Sequence, residues 1–576
     1  MLIERRTSCC GEHRLPDDLP PLLARIYLNR GIDSGEQLDL ALGRLLRADR
    51  LGGMQDATAL LCQALREERR ILVVGDFDAD GATSSALAIR ALRAMGGHDI
   101  HYLVPNRFDF GYGLTAPLVE VARELEPWLI ITVDNGISSI EGVAAARELG
   151  IRVLVTDHHL PPEELPVADA IVNPNLQDDA FPSKALAGVG VIFYVMAALR
   201  SRLRDLGWFE SRGIAEPNLA ECLDLVALGT VADLVPLDHN NRILVQNGLR
   251  RIRSGHCCAG IRALLEVSGR DLETVTSSDL GFFVGPRLNA AGRLEDMSVG
   301  IECLLADDPQ LARELAMQLD SLNRQRREIE STMKEQALAA LESMQLATET
   351  LPAGICLFDD DWHQGVVGIV ASRVKERYHR PVIVFAGEND EMLKGSARSI
   401  QGVHIRDLLD AIATRHPGLI RKFGGHAMAA GLSLPRAGFE EFRELFDRYV
   451  RMQVDDQQLR GCMLSDGALA KEELTIDHAR LLRDAGPWGQ GFPEPLFDDR
   501  FVVLDQRIVG GSHLKLQLAP EKFPELRLEA IAFNQAEAHQ LVTGQLLQAV
   551  YRLDINAWRG RESLQLILQA IIEQEQ

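Results

Sequence analysis

No Cys-x-x-Cys pair occurs in the 576 residues, and the nine cysteines are scattered, with only Cys9-Cys10 and Cys257-Cys258 adjacent. That argues against the usual zinc modules and thioredoxin-type chemistry, and an odd count without a framework suits a reducing compartment. Gly-Lys-Ser and Gly-Lys-Thr are both missing, so there is no Walker A loop and no nucleotide cofactor is called for. No apolar run is long enough to span a bilayer, and Met1-Leu-Ile-Glu-Arg-Arg6 lacks the apolar core of a signal peptide. The expectation is a cytoplasmic protein with no membrane partner. Positive charge is also in deficit: the net charge of −22 weakens non-specific nucleic-acid binding, although a local basic channel remains compatible with it.

What is present is ordinary globular composition, 46% hydrophobic and 25% charged, in a chain too long for one core. The informative stretch is Ile71-Leu-Val-Val-Gly-Asp-Phe-Asp-Ala-Asp-Gly81. Its apolar start reads as a buried parallel strand, and residues 82–95 behind it read as a helix. Asp76, Asp78 and Asp80 then sit at the carboxyl end of a strand, where open α/β sheets bind ligands. Three carboxylates this close repel one another unless a cation lies between them, which points to a divalent-metal site. An EF-hand loop is set aside, because its twelfth position is Leu87 rather than a bidentate Glu. A solvated acidic turn is the bland alternative. Asp-x-Asp after a strand also occurs in haloacid-dehalogenase phosphatases, and at this point that alternative stays open.

From residue 71 the pattern alternates as in a doubly wound sheet, with strands expected at 71–75, 100–104, 128–133, 151–156 and 168–172. Helices are expected at 82–95, 116–125 and 140–149. Strand three runs into Asp134-Asn-Gly136 and strand four into Asp157-His158-His159, so three strands end in potential ligands on one sheet edge. An amphipathic helix at 218–228 leads to Gly229-Thr-Val-Ala-Asp233, where a lone loop Asp gains interest because the site lacks a closing ligand. His and Asp together favour Mn²⁺ over Mg²⁺. Two ions roughly 3.5–4 Å apart, bridged by one carboxylate, would activate a water and stabilise a leaving oxygen.

Gly-Asp-Phe-Asp-Ala-Asp-Gly, Val-Asp-Asn-Gly, Thr-Asp-His-His and Gly-Thr-Val-Ala-Asp, in this order, resemble the four motifs of the DHH phosphoesterases. The length and later motifs are similar to the single-stranded-DNA-specific exonucleases of that family over essentially the whole chain. The resemblance implies that Asp78, Asp80, Asp134, His158 and Asp233 are metal ligands, with Asp134 bridging. Asp76, Asp157 and His159 would be catalytic neighbours that orient ligands or contact the scissile phosphate. It implies Mn²⁺ or Mg²⁺ as cofactor. The haloacid-dehalogenase reading then fails, since it explains neither Asp157-His158-His159 nor Asp233.

Substrate contacts come next. Arg107, just past strand two, is a loop charge by default and faces the phosphate in the family reading. Arg287, in the Gly-bounded turn Gly285-Pro-Arg-Leu-Asn-Ala-Ala-Gly-Arg293, is read as a DNA-backbone contact, because guanidinium suits bidentate phosphate binding. Residues 308–347 read as a long connecting helix capped by Asp308-Pro309; Asn323-Arg-Gln-Arg-Arg327 on it is either a DNA-facing stripe or, the reading favoured, mostly its solvated face. Residues 351–450 form a second α/β unit, in which Trp362 to Gly368 open a helix and Gly424-Gly425 is expected ahead of a helix as an anion cradle. This part resembles the DHHA1 domain, which makes Ser396, Arg398 and His426 candidate phosphate contacts. Beyond about residue 460, five short strands near 501–504, 514–518, 527–533, 548–555 and 564–571 suit an OB-fold. Trp558, Arg559 and Arg561 in the intervening turn either stack on bases or cap the barrel, and both readings stand. Pro487 to Pro495 reads as a rigid lead-in to the barrel.

The expected fold is α/β: a doubly wound parallel-sheet DHH domain, a connecting helix, a second α/β (DHHA1) domain and a C-terminal OB-fold barrel. The expected boundaries are 1–50 (N-terminal helical segment), 51–300, 301–350, 351–455 and 456–576. The resemblance implies a two-metal 5′-to-3′ exonuclease releasing mononucleotides from single-stranded DNA in repair and recombination. Its partners would be a strand with a 5′ end and a helicase or single-strand-binding protein that delivers it, the chain acting as a monomer. The alternatives are a DHH phosphodiesterase for short oligonucleotides or cyclic dinucleotides, and a non-catalytic DNA-binding scaffold. Intact acidic motifs argue against the scaffold.

Overall fold

Ile71–Val74 (β1) is buried at all four positions, as a strand covered on both faces of a parallel sheet must be. It lies in a five-stranded sheet with Ile100–Leu103 (β2), Leu129–Val133 (β3), Arg152–Thr156 (β4) and Ala170–Val172 (β5). The order is β2-β1-β3-β4-β5 and every pairing is parallel. All five strands fall where the alternating pattern places them. This order reverses between β1 and β3, and a crevice opens at such a switch point, outside the carboxyl ends. The computed structural model describes all residues except 1, 8–12, 107–109, 349–350, 456–457, 460, 537, 559 and 574–576. It divides into two compact units, Arg5–Ser321 with Leu464–Gln576, and Met1–Glu4 with Leu322–Met463.

Three helices of the first unit shape the switch point, and two of them differ from the expectation. Ala79–Ala94 (α1) begins three residues earlier than the 82–95 pattern predicts. Asp78 caps it, accepting from the amides of Asp80 and Gly81, so Asp80 lies within the first helical turn. Gly188–Asp205 (α2) packs against α1. The segment expected as an amphipathic helix at 218–228 is a short 3₁₀ turn followed by Leu223–Ala232 (α3), buried from residue 223 to 230. Its run of small and apolar residues leaves no polar face, and Asp233 is its C-cap rather than a loop residue. Likewise Gly285–Leu294 (α4) is a helix, not a turn, and follows a π-helical turn at Leu280–Val284.

The same unit carries a closed barrel of Phe497–Val509 (β11), His513–Pro520 (β12), Leu528–Ala532 (β13), Leu546–Trp558 (β14) and Arg561–Glu573 (β15), numbered to follow the five strands of the second unit. Its order is β11-β12-β13-β15-β14, with only β13 and β15 parallel. Phe497, Phe501 and Tyr551 fill it, the last two rings meeting edge to face at 5.4 Å.

The second unit contains a mixed sheet of Ile355–Phe358 (β6), Val382–Gly387 (β7), Met392–Arg398 (β8), Lys422–Gly425 (β9) and Ala429–Pro435 (β10), in the order β9-β10-β8-β7-β6. The Gly-Gly pair therefore ends a strand and turns a hairpin instead of preceding a helix. Gly424 pairs with Gly431, and Gly425 has φ +141°, a conformation closed to most side chains. Helix Val367–Tyr378 (α5) starts five residues after Trp362 and covers β6 and β7. Within the long helix Pro309–Thr348, Asn323 and Arg326 are buried rather than solvated, and Arg326 pairs with Glu330 at 2.7 Å. Among the described residues no helix is long and apolar enough to cross a membrane.

Candidate metal centre

Six carboxylates and two imidazoles converge outside β1, β3 and β4. Asp76 and Asp78 follow β1 and lead into Asp80 in the first turn of α1, Asp134 follows β3, Asp157-His158-His159 follows β4, and Asp233 closes the ring from the end of α3. Candidate ligand atoms form three overlapping groups: Asp76, Asp78 and Asp134; Asp80, His158 and Asp233; and Asp134, His158 and His159. Within each group the atoms lie no more than 4.8 Å apart. Asp134 and His158 each belong to two groups, so the pattern is that of two adjoining cation positions rather than one.

Main-chain donors fix these side chains before any ion arrives. Asp80 has 1% of its surface exposed, and its two oxygens accept from Gly188 N (2.6 Å) and Val189 N (3.0 Å), the first amides of α2. The positive end of that helix favours the charged form. Burial, and then the field of Asp78, act the other way and hold the Asp80 carboxyl up at about 7. Asp134 has φ +63°, a left-handed conformation that Asp tolerates better than most residues. A Cβ added at Gly188 would lie 2.5 Å from Asp134 Cβ, so only glycine lets α2 approach this close. Burial first, and then neighbouring carboxylates, push Asp134 and Asp233 well above the ordinary range. Among the described residues no donor meets the buried Asp134 Oδ1 and Asp233 Oδ2 with hydrogen-bond geometry, while His158 Nε2 lies 3.1 and 3.5 Å from them. Oxygen and imidazole donors in this number, mutually repelling and buried, fit two divalent cations.

Asp157 has a different task. One oxygen accepts from Ile137 N at 2.9 Å; the other takes His158 N, His159 N and His159 Nδ1 at 2.7, 3.1 and 2.7 Å. Burial opposes its ionisation most, but the His159 hydrogen bond, the fields of both imidazoles and the Ile137 amide together outweigh it, and the carboxyl stays below the ordinary value. Burial lowers His159, but the same bond and the fields of Asp157, Asp233 and Asp76 together raise it to about 9. The pair fixes the loop and the imidazole.

Residues that pattern reading passed over support the centre. Asn135 donates to the carbonyls of Val74 and Val133, tying the ends of β1 and β3 together. Asn173 and Asn175, directly after β5, hold the carbonyls of His159 and His158 at 2.9 and 2.6 Å. Tyr112 donates to Asp134 O and stands 3.2 Å from His159 Nδ1. Asn289 on α4 accepts from Ala79 N at 2.8 Å, at the start of α1. The visible signals are Val-Asn-Pro-Asn just past a strand and glycines at the start of α2; their partners lie far away in sequence.

The expected substrate contacts are placed as follows. Arg287 is buried on α4, where Nε donates to Asp320 (2.9 Å) and Nη1 to Phe283 O (2.5 Å), so its fork holds protein rather than facing solvent. In the second unit, Lys394, Ser396 and Arg398 lie on one face of β8, in register with Ser433, Gly431 and Ala429 of β10, and the start of α5 borders them: a Cβ added at Gly368 would lie 2.9 Å from both Ser396 Oγ and Arg398 Nη2. Arg398 Nη1 donates to Ser396 Oγ and Ala397 O. His426 is exposed in the hairpin turn between β9 and β10. Arg107 and Arg559 lie outside the described residues, as does the side chain of Trp558, whose backbone ends β14.

Comparison with known proteins agrees with this architecture. The model of the DHH family, N-terminal domain, matches residues 70–230, that of the DHHA1 domain 344–452, and that of the RecJ OB domain 465–570. The single-stranded-DNA-specific exonuclease RecJ of Dickeya dadantii is 57% identical over 99% of both chains, and that of Escherichia coli 56% over 97% of this chain and 96% of its own. A crystal structure of RecJ from Thermus thermophilus in complex with Mn²⁺ superimposes with a TM-score of 0.79 at 32% identity, covering 97% of this chain and 77% of that one. The chain belongs to the DHH family, in its RecJ branch.

Proposed function

We propose that this protein is a metal-dependent exonuclease that hydrolyses single-stranded DNA from its 5′ end to mononucleotides, in DNA repair and recombination. The observation that carries it is the set of three overlapping ligand groups at the switch point, joined through Asp134 and His158. Asp78, Asp80, Asp134, His158 and Asp233 would hold two ions, Mn²⁺ or Mg²⁺, the metals found with the Thermus thermophilus RecJ. When bound, such ions lower the pKa of a water and offset charge on the leaving oxygen. The protein's own residues set the geometry. Asp157 accepts at His159 Nδ1, leaving Nε2 as the ring position that can hold a proton beside the phosphate. Asp76, anchored by Phe77 N at 2.8 Å, joins Asp78 and Asp134 on the other flank.

Ser396 and Arg398, with Lys394 beside them and His426 at the hairpin, are assigned to the strand's phosphates; Arg107, Trp558 and Arg559 complete that assignment. The five domain boundaries expected from sequence belong to the same proposal. So do delivery of the strand by a helicase or single-strand-binding protein, monomeric action and a cytoplasmic location. The barrel favours long strands over short oligonucleotides or cyclic dinucleotides, because a small-substrate enzyme has no use for a whole strand-binding fold. The test is Mn²⁺-dependent hydrolysis of a 5′-phosphorylated single strand by the full chain. Asp134→Ala should lose about 10²- to 10³-fold in rate, the scale on which a charge-stabilising group fails. Retained activity would overturn the site.

A further inference from the structure

Two of the most exposed apolar side chains in the nuclease-barrel unit stand at the end of the helix that delivers Asp233. Leu234, the next residue, is 69% exposed and has φ +59°. A leucine gains nothing from a left-handed backbone, and strain of this kind concentrates at functional sites. Phe282 is 72% exposed and lies in the π-helical turn Leu280–Val284, a rare element with the same tendency. That turn packs on the last turn of α3: a Cβ added at Gly281 would lie 3.2 Å from Val231 Cγ1, and one at Gly285 3.2 Å from Ala232 Cβ.

The turn is built to present Phe282. The neighbouring ring, Phe283, is covered by the Arg270 guanidinium at 3.7 Å, and the Phe283 carbonyl is held by Arg287, itself anchored on Asp320. The helix that follows, α4, reaches the metal loop through Asn289. Phe282 thus hangs outward from a fixed frame that is continuous with the metal centre.

We propose that Leu234 and Phe282 form an apolar rim that receives an unstacked nucleobase of the strand being cut. The inference rests on the single-strand reading above. A phosphodiester at the centre brings its bases past Asp233, and consecutive Cα atoms are only about 3.8 Å apart, so Leu234 adjoins any strand engaged there. A base offers a flat apolar face to such side chains whatever its sequence. In a duplex that face is already stacked, so the rim would favour single strands.

The test compares single-turnover hydrolysis of a 5′-phosphorylated strand with that of the same strand carrying abasic residues at its first two positions, at saturating Mn²⁺. The wild-type chain should cut the abasic strand about 10-fold more slowly, within the range for loss of one stacked base. Phe282→Ala and Leu234→Ala should lose a similar factor on the normal strand and nothing more on the abasic one, and Phe282→Trp should restore the wild-type pattern. Equal cutting of both strands by the wild-type chain overturns the rim, as does a variant that slows both strands by one factor. Unchanged behaviour of the variants also overturns it, and leaves the patch to a second copy or another protein. A wild-type chain that cuts neither strand overturns the proposed function itself, and the rim with it.

Discussion

Gly188→Ala tests how tightly the centre is built. The added methyl would meet Asp134 Cβ at 2.5 Å, Oδ1 at 2.7 Å and Cα at 2.8 Å. Ordinary carbon contacts lie near about 3.5–4.0 Å, so α2 and Asp134 must part by roughly 1 Å. Alanine itself is the better helix former by about 1 kcal/mol, which works against any general loss of folding. Overpacking of this kind costs about 1–3 kcal/mol, so the net change in stability should be small. The effect on the site should not be. Moving α2 withdraws Gly188 N and Val189 N from Asp80, and moving Asp134 disturbs both ligand groups that share it. A misplacement of about 1 Å can cost about 100-fold in rate. The expected result is a loss of kcat/KM of that order, with weaker Mn²⁺ binding by calorimetry and a melting temperature within a few degrees of wild type. Gly190→Ala is the control, because its nearest neighbour is the flexible end of Leu186 at 3.1 Å. If Gly188→Ala binds Mn²⁺ and cuts DNA like Gly190→Ala, the close approach of α2 has no part in shaping the centre.

Two further outcomes follow from the same geometry. The Asp80 carboxyl sits at about 7 in the metal-free chain against an unfolded value of about 3.9. Between those values the folded state binds a proton the unfolded state does not, so this group's contribution to stability is full below about pH 3.9 and is lost as pH rises through about 7. Added Mn²⁺ replaces the proton, and the rise in melting temperature it causes should be larger at about pH 8 than at about pH 6; an equal or reversed difference contradicts the assignment. Asn289→Ala removes the acceptor for Ala79 N and should cost about 1 kcal/mol by denaturant titration, with weaker Mn²⁺ binding because the metal loop loses its brace. Loss of stability with unchanged Mn²⁺ affinity would show that α4 supports the fold and not the loop.

Most of the sheet was legible because buried parallel strands are continuous apolar runs, and each carried its polar residues straight onto one edge. The helix starts were less so. Asp78 reads as a ligand in the sequence, yet its carboxylate also caps α1, and a single residue serving both ends cannot be resolved by periodicity. The α3 segment failed for the opposite reason: Leu223 to Thr230 is buried all round, and an amphipathic stripe exists only where one face meets water. Gly424-Gly425 could equally begin a helix or end a strand, and only pairing with Ala430 and Gly431 decides between them. Arg287 drew attention by its chemistry, but its partner, Asp320, is 33 residues away on another helix. Asn135, Asn173 and Asn175 escaped because local spacing records nothing of the carbonyls they reach.

The strand order has a consequence for the spacing of the centre. Asp76, Asp134 and His158 hang from β1, β3 and β4, three consecutive strands of one sheet. Neighbouring strands lie about 4.8 Å apart, a distance set by backbone hydrogen bonds and indifferent to side chains. The sheet therefore acts as a ruler, and the gap between the two cation positions is inherited from it. Sequence change in the surrounding helices can retune affinity or access without altering that gap. A slip of β3 by one residue would displace Asp134 by about 3.3 Å along the strand and leave the two positions without a shared ligand.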